Sequence, residues 1–205
     1  LGKAKVRQLL FNGTRQPLAR YPNADPADPL YSGWAFLQEV PKDKMEGHPW
    51  KRKAFLNPKD VRQWSKPDEL EINIFAGYGW WNFIMPVASV DAAEKTVTLQ
   101  KDCGYDLHPN NRYFIQNALE ELDAPGEWYI DNASQTLYFW PPAKDGEVRI
   151  PKVESFVKMA AATKHITIRG LSSTGCTETA ISLAGTENCT IASCTLSEVG
   201  GWNGS

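Results

Sequence analysis

From Val157 onward the chain alternates apolar and small polar positions with a period of two, and the pattern repeats. A shift of 23 residues lays Ile166-Thr167-Ile168 on Cys189-Thr190-Ile191 and Leu171 on Cys194. Val157 and Met159 precede the first unit much as Ile181 and Leu183 precede the second. Each unit holds short strands between turns of Gly, Ser and Thr, which disfavours helix. A repeat of this length with strands of this kind is a solenoid signature. The apolar positions are β-branched or small, as strands stacked around a narrow core require.

Upstream the same alternation predicts short strands joined by turns. Val6 to Phe11 and Thr14 to Arg20 flank Asn12-Gly13, a pair that tolerates the positive φ of a type I′ hairpin turn. Tyr21 to Leu30 is rich in proline and aspartate and reads as an ordered loop. Asn57-Pro58-Lys59-Asp60 has the capping residue, first-turn proline and acid of a helix start, with Val61 and Trp64 on its inner face and Pro67 as its stop. Leu70, Ile72 and Ile74 alternate with Glu71, Asn73 and Phe75 as a strand. Phe83 to Val90 and Thr96 to Gln100 follow as two more, with Asp91 to Lys95 as the turn between them. Asn117 to Leu122 suits one or two helical turns. Glu127 to Ile130 and Thr136 to Trp140 form a hairpin, and Val148 to Ile150 is a further strand. Such a run of short strands suits a sandwich or small barrel.

Composition narrows the partners. The chain has 205 residues, 42% of them hydrophobic, and a formal net charge of -2. That balance removes the usual electrostatic reason for a nucleic-acid or anionic-membrane partner. No run approaches the ~18 apolar residues of a membrane span. The chain opens at Leu1 without a Met and stops at Trp202-Asn203-Gly204-Ser205, inside the second repeat. The expectation is a piece of a longer protein, whose remaining coils would be its first partner. Cys103, Cys176, Cys189 and Cys194 form no CxxC pair, so no zinc site is expected. The three in the repeat read as small buried apolar residues.

Two segments carry a family resemblance. They are LLFNGTRQPLARYPN, Leu9 to Asn23, and NALEELDAPGEWYIDNASQTLYFWPP, Asn117 to Pro142, followed closely by HITIRGL. This order resembles the secreted right-handed parallel β-helix proteins of the pectate-lyase-like superfamily. More narrowly, it is similar to β-helix glycoside hydrolases with a β-rich domain inserted into the early coils. The resemblance implies an all-β fold. Residues 1–152 would form the inserted β-rich domain, sandwich or barrel-like, and residues 153–205 the first coils of the parallel β-helix. It implies a poly- or oligosaccharide substrate and a secreted, periplasmic or cell-surface location.

Glycoside hydrolysis needs a pair of carboxylates at a defined separation. Glu178, Glu187 and Glu198 are the acids of the repeat, and no spacing among them marks a dyad. Glu198 is the catalytic candidate, because glycines and Trp202 follow it. The main catalytic residues are expected downstream, and the 205 residues by themselves are expected to show little turnover. Trp202 and Asn203 are candidate substrate contacts. Trp80 and Trp81 are two more, since consecutive strand residues face opposite ways. At most one of those rings is then buried in the sheet, and the other is exposed for sugar stacking or covers the join between domains. Arg20 reads as an ion-pair or carbonyl clamp and Glu127 as a turn stabiliser. A polysaccharide lyase or epimerase on the same scaffold is the alternative activity, with Ca²⁺ as its possible metal. Otherwise no cofactor or metal is expected. A non-catalytic glycan-binding or adhesion protein is the third reading.

Overall fold

The alternation at residues 70–76 is realised as the strand Glu71–Ala76, whose even-numbered residues are buried while the odd-numbered ones are half-exposed. It belongs to a computed structural model that describes residues 6–28 and 30–200. The protein is all-β, with antiparallel sheets, short parallel pairs and a few single turns of 3-10 helix. Among the described residues no helix is long and apolar enough to cross a membrane. The chain divides into two compact units. One spans 17–140; the other takes in 6–16 and 141–200. The cut expected at residue 152 therefore falls inside the second of these. The reason is a pairing between distant segments: Leu9–Phe11 pairs antiparallel with Val148–Arg149 as well as with Thr14–Gln16.

In the 17–140 unit a seven-stranded antiparallel sheet runs in the order 20–21, 112–116, 71–76, 81–91, 96–99, 53–55, with 35–36 as a further partner of 112–116. The long strand Trp81–Asp91 serves both halves of the sheet. Its first part pairs with Glu71–Ala76, its last part with Thr96–Leu99, and the ladder shifts between Val87 and Ser89. Such a bulge bends a strand and increases its twist. Both halves contribute to one buried cluster, which includes Ile72, Ile74 and Tyr113 from one half and Ala54, Val97 and Leu99 from the other. The order ends at 20–21 and 53–55 without a pairing between them, so the sheet is open rather than a closed barrel. The predicted helix at 57–66 is a single 3-10 turn, Pro58–Asp60. Asn57 caps it by accepting from the Lys59 N–H, and Val61 is already extended. Val61 and Trp64 therefore share no helical face. Trp64 is buried by other means, with its indole N–H donating to Glu121 at 2.7 Å.

In the other unit the repeat appears as three parallel pairs. Val157 lies opposite Ile181, Thr167 opposite Thr190 and Ser172 opposite Thr195, in the register read from the sequence. The backbone repeats as well. Left-handed residues recur 23 positions apart, at Ala162 and Gly185, His165 and Asn188, Gly170 and Ser193, and Gly175 and Glu198. Each couple makes the same corner in successive rungs, so rungs of different sequence stack in register. Thr174 and Ser197 hydroxyls meet across one such step at 2.6 Å, and Lys164 pairs with Glu187 across another. The expected narrow core is thin. In 151–200 the buried apolar residues are Cys176 and Ala180, while Ile166 and Ile191 are exposed. A rung packs only against its neighbours, so two rungs cover each other on one side alone.

Candidate functional site

Trp80 and Trp81 close the hairpin between Glu71–Ala76 and Trp81–Asp91. Both rings are exposed, at 77% and 59%, and Tyr78 beside them at 90%. Neither ring is therefore buried in the sheet, where the alternation allows at most one. Trp81 lies opposite Ala76, on the face that carries Ile74 and Phe83 into the core. On its own strand the core begins two residues later, at Phe83, and the Trp81 ring meets solvent. Tyr78 and Trp80 stand edge to face, with centroids 6.0 Å apart and planes at 78°. Large exposed aromatics gathered at one place mark interaction surfaces more often than chance.

The turn carrying these rings is held firmly. Gly77 and Gly79 have φ of 61° and 79°, which other residues adopt only with strain. The Gly77 N–H donates to the Asp106 carbonyl at 2.9 Å, and the Gly79 N–H to the Ala76 carbonyl at 3.2 Å. The buried Asn111 completes the anchor. Its amide donates to the Gly77 carbonyl at 2.9 Å, and its oxygen accepts from the His108 N–H at 2.8 Å. Beside the turn lies a cleft of about 290 Å³, lined among others by Phe36, Tyr78, Asn110 and Arg112. Arg112 is fixed by its neighbours. Its guanidinium lies 4.1 Å from the centroid of Phe75 and 4.8 Å from that of Trp34, and it donates to the Leu30 carbonyl. Sequence reading named Trp80 and Trp81 but missed Tyr78 and Asn111. The Gly-Tyr-Gly run was the available signal, because glycines around an aromatic place it on a tight turn.

Glu198 stands on the strand Thr195–Val199, at the corner equivalent to Gly175, with φ of 50°. Its carboxylate is ion-paired with Arg15 Nε at 3.4 Å, and Arg15 Nη2 donates to the Gly200 carbonyl at 2.8 Å. The buried Gln8 amide donates to the Gly200 and Cys176 carbonyls at 2.6 and 3.1 Å. The structure thus brings Glu198 to a charged partner from the N-terminal hairpin. Trp202 and Asn203 lie outside the described residues. Glu178 and Glu187 are exposed. Among the described residues no three His, Cys, Asp or Glu side chains converge to hold a metal ion.

Arg20 is the carbonyl clamp that sequence suggested. It donates through Nε to Pro22 O at 2.8 Å and through Nη2 to Gly33 O, and it lies 3.5 Å over the Phe114 ring. Burial brings its pKa down to about 10. A second charged cluster surrounds Lys66, whose Nζ is 2.9 Å from Asp131 and 3.7 Å from Glu69, while Tyr129 donates to Glu69 at 2.9 Å. The hydrogen bond from Lys66 holds the Asp131 carboxyl at about 2, below its ordinary 3.8. A depressed carboxyl stabilises the fold above its unfolded pKa and loses that contribution as pH falls through the folded value. Asp131→Asn should therefore remove stability at neutral pH. It should also flatten the acid limb between pH 3.8 and about 2, in urea titrations compared with the parent chain.

Residues 98–142 match the family model of the GH141 insertion domain. No curated protein matches the chain. A solved structure named glycoside hydrolase is similar in fold, with a TM-score of 0.58 and 19% identity over 83% of this chain. The chain spans 31% of that protein's length. A segment of the antiparallel unit thus matches a glycoside hydrolase insertion domain, and most of the chain shares the fold of one solved glycoside hydrolase.

Proposed function

We propose that the chain is part of a secreted glycoside hydrolase whose parallel rungs begin a right-handed β-helix, with the 17–140 unit inserted in it. The observation that carries this is the four-fold recurrence of left-handed corners at a spacing of 23 residues, in a chain whose residues 98–142 match the GH141 insertion domain. Stacked rungs place side chains in rows about 4.8 Å apart, a spacing that suits a polymer lying along a groove. The substrate class is a poly- or oligosaccharide. In this reading Glu198, set at a corner and oriented by Arg15, contributes at the head of that groove, and the other carboxylate of the pair comes from further coils.

The test uses the full-length protein on a panel of plant and bacterial polysaccharides. New reducing ends without an ultraviolet-absorbing unsaturated uronate support hydrolysis. An absorbing product would overturn it in favour of a lyase, and saccharide binding without turnover would favour an adhesion protein. The 205 residues alone should turn over little, and robust turnover by them would contradict the expected division of the groove. Glu198→Gln in the full-length protein should lower kcat about 10²-fold or more if the carboxyl moves a proton in the transition state. An unchanged kcat with a lowered melting temperature would reduce Glu198 to a partner of Arg15.

A further inference from the structure

The cleft beside the 76–81 turn takes no part in hydrolysis as proposed above. We propose that it is a saccharide-binding site of the 17–140 unit, with Tyr78 as the stacking platform in the cleft and Trp80, edge to face with Tyr78 just outside the lining, as a second ring beside it. The inference rests on the glycan substrate class of the preceding section and adds a place where that class is held.

Three observations point to a sugar. The first is chemical. A pyranose ring has a flat face of C–H groups and a rim of hydroxyls, so it needs an aromatic face beside hydrogen-bonding groups. Tyr78 and Trp80 supply two rings at 78°. Asn110, exposed on the same cleft, has no side-chain partner among the described residues. Arg112 has guanidinium N–H groups beyond the one that reaches Leu30. Among the described residues the lining contains no carboxylate, which disfavours a cationic ligand. The second is scale. A cleft of about 290 Å³ is at the small end of ligand sites, near 300 Å³. A stable protein interface needs about 1,000 Å² or more of buried surface with a packed apolar centre. Here the neighbours of Tyr78 in the chain are glycines. The third is preorganisation. Tyr78 and Trp80 are solvated, yet their turn is tied down by Asp106, Ala76 and Asn111. A platform already fixed loses little freedom when a ligand arrives.

The test is isothermal titration calorimetry of the 205-residue chain with xylo-, manno-, gluco-, fuco- and galacturono-oligosaccharides, followed by Tyr78→Ala and Trp80→Ala. At least one series should bind. Each variant should weaken that binding about tenfold or more, the loss typical of removing an interface aromatic. Melting temperatures should hold, and Leu119→Ala, an exposed change elsewhere on the unit, should leave affinity as it was. Absence of binding to every series would overturn the proposal, as would variants that bind like the parent. Self-association that disappears in Trp80→Ala would overturn it too, by making the tip a protein contact. Binding without hydrolysis by the full-length protein would leave this site standing and remove the hydrolase reading. Hydrolysis with no saccharide bound at the tip would do the reverse.

Discussion

Truncating Trp128 to alanine is expected to destabilise the 17–140 unit by about 3–5 kcal/mol, the range for removing a large core aromatic. The ring is 1% exposed, on the strand Trp128–Asp131. Its backbone is committed on both sides. The Trp128 N–H donates to the Pro17 carbonyl at 3.1 Å, and its carbonyl accepts from the Ala19 N–H at 2.7 Å. Phe139 lies opposite it in the hairpin. With the strand pinned by these bonds, the surroundings cannot collapse into the space left behind, so a cavity term adds to the lost transfer energy. Urea unfolding should show a lower midpoint with an unchanged slope. A loss under about 1 kcal/mol would mean that the site refills, contrary to the packing described. Trp80→Ala makes the contrast, since truncating a ring that is 77% exposed should change stability by no more than about 0.5 kcal/mol.

The second large effect is expected at Glu127, which is 2% exposed. Its two carboxylate oxygens accept from three backbone N–H groups: Arg20 at 3.3 Å, Asp123 at 3.2 Å and Ala124 at 3.1 Å. Burial pushes its carboxyl pKa up, and the same hydrogen bonds oppose that. Glu127→Ala leaves all three donors without this acceptor. Asp123 and Ala124 lie near enough to water to recover part of the loss, so we expect about 3 kcal/mol from unsatisfied donors costing about 1–3 kcal/mol each. Glu127→Gln can keep the oxygen that serves Asp123 and Ala124, and it carries no charge to desolvate. It should lose only about 1 kcal/mol. Equal losses in the two variants would show that charge near Arg20, rather than the donor set, is what holds the turn. Either way the carboxylate is occupied by its own backbone, as the Ala-Pro-Gly-Glu sequence suggested.

The strands that alternate in sequence are those with one face buried. Glu71–Ala76 was legible for that reason; Thr96–Leu99 was legible from its alternating residue types although Thr96 and Val97 are both buried, and the Asn12-Gly13 turn and the 128–139 hairpin from their turn residues. The strand Arg112–Gln116 was not. Tyr113, Phe114 and Ile115 are consecutive and all buried, because Tyr113 and Ile115 face the core while Phe114 is covered from the other side by Trp34 and Arg20. A strand buried on both faces loses the period of two. It is nevertheless the strand on which 20–21, 35–36 and 71–76 all assemble. The 57–66 stretch failed differently. Its capping signals were real and were used, but one turn later the chain is drawn into an extended path and Trp64 is taken by Glu121.

Local chemistry in the sequence determined the turns, the alternating strands and the register of the two rungs, because each depends on residues close in the chain or on a repeat that can be laid on itself. It also singled out Trp80, Trp81 and Glu198 by residue type. Only the tertiary structure decided what those residues meet. Exposure of both indoles follows from where the long strand enters the core, at Phe83, two residues after Trp81. The firmness of their turn follows from Asn111 and Asp106, about thirty positions further on. The partner of Glu198 is Arg15, separated from it by most of the chain. These are contacts between distant segments, set by how the strands pair and pack, and no periodicity along the chain records them.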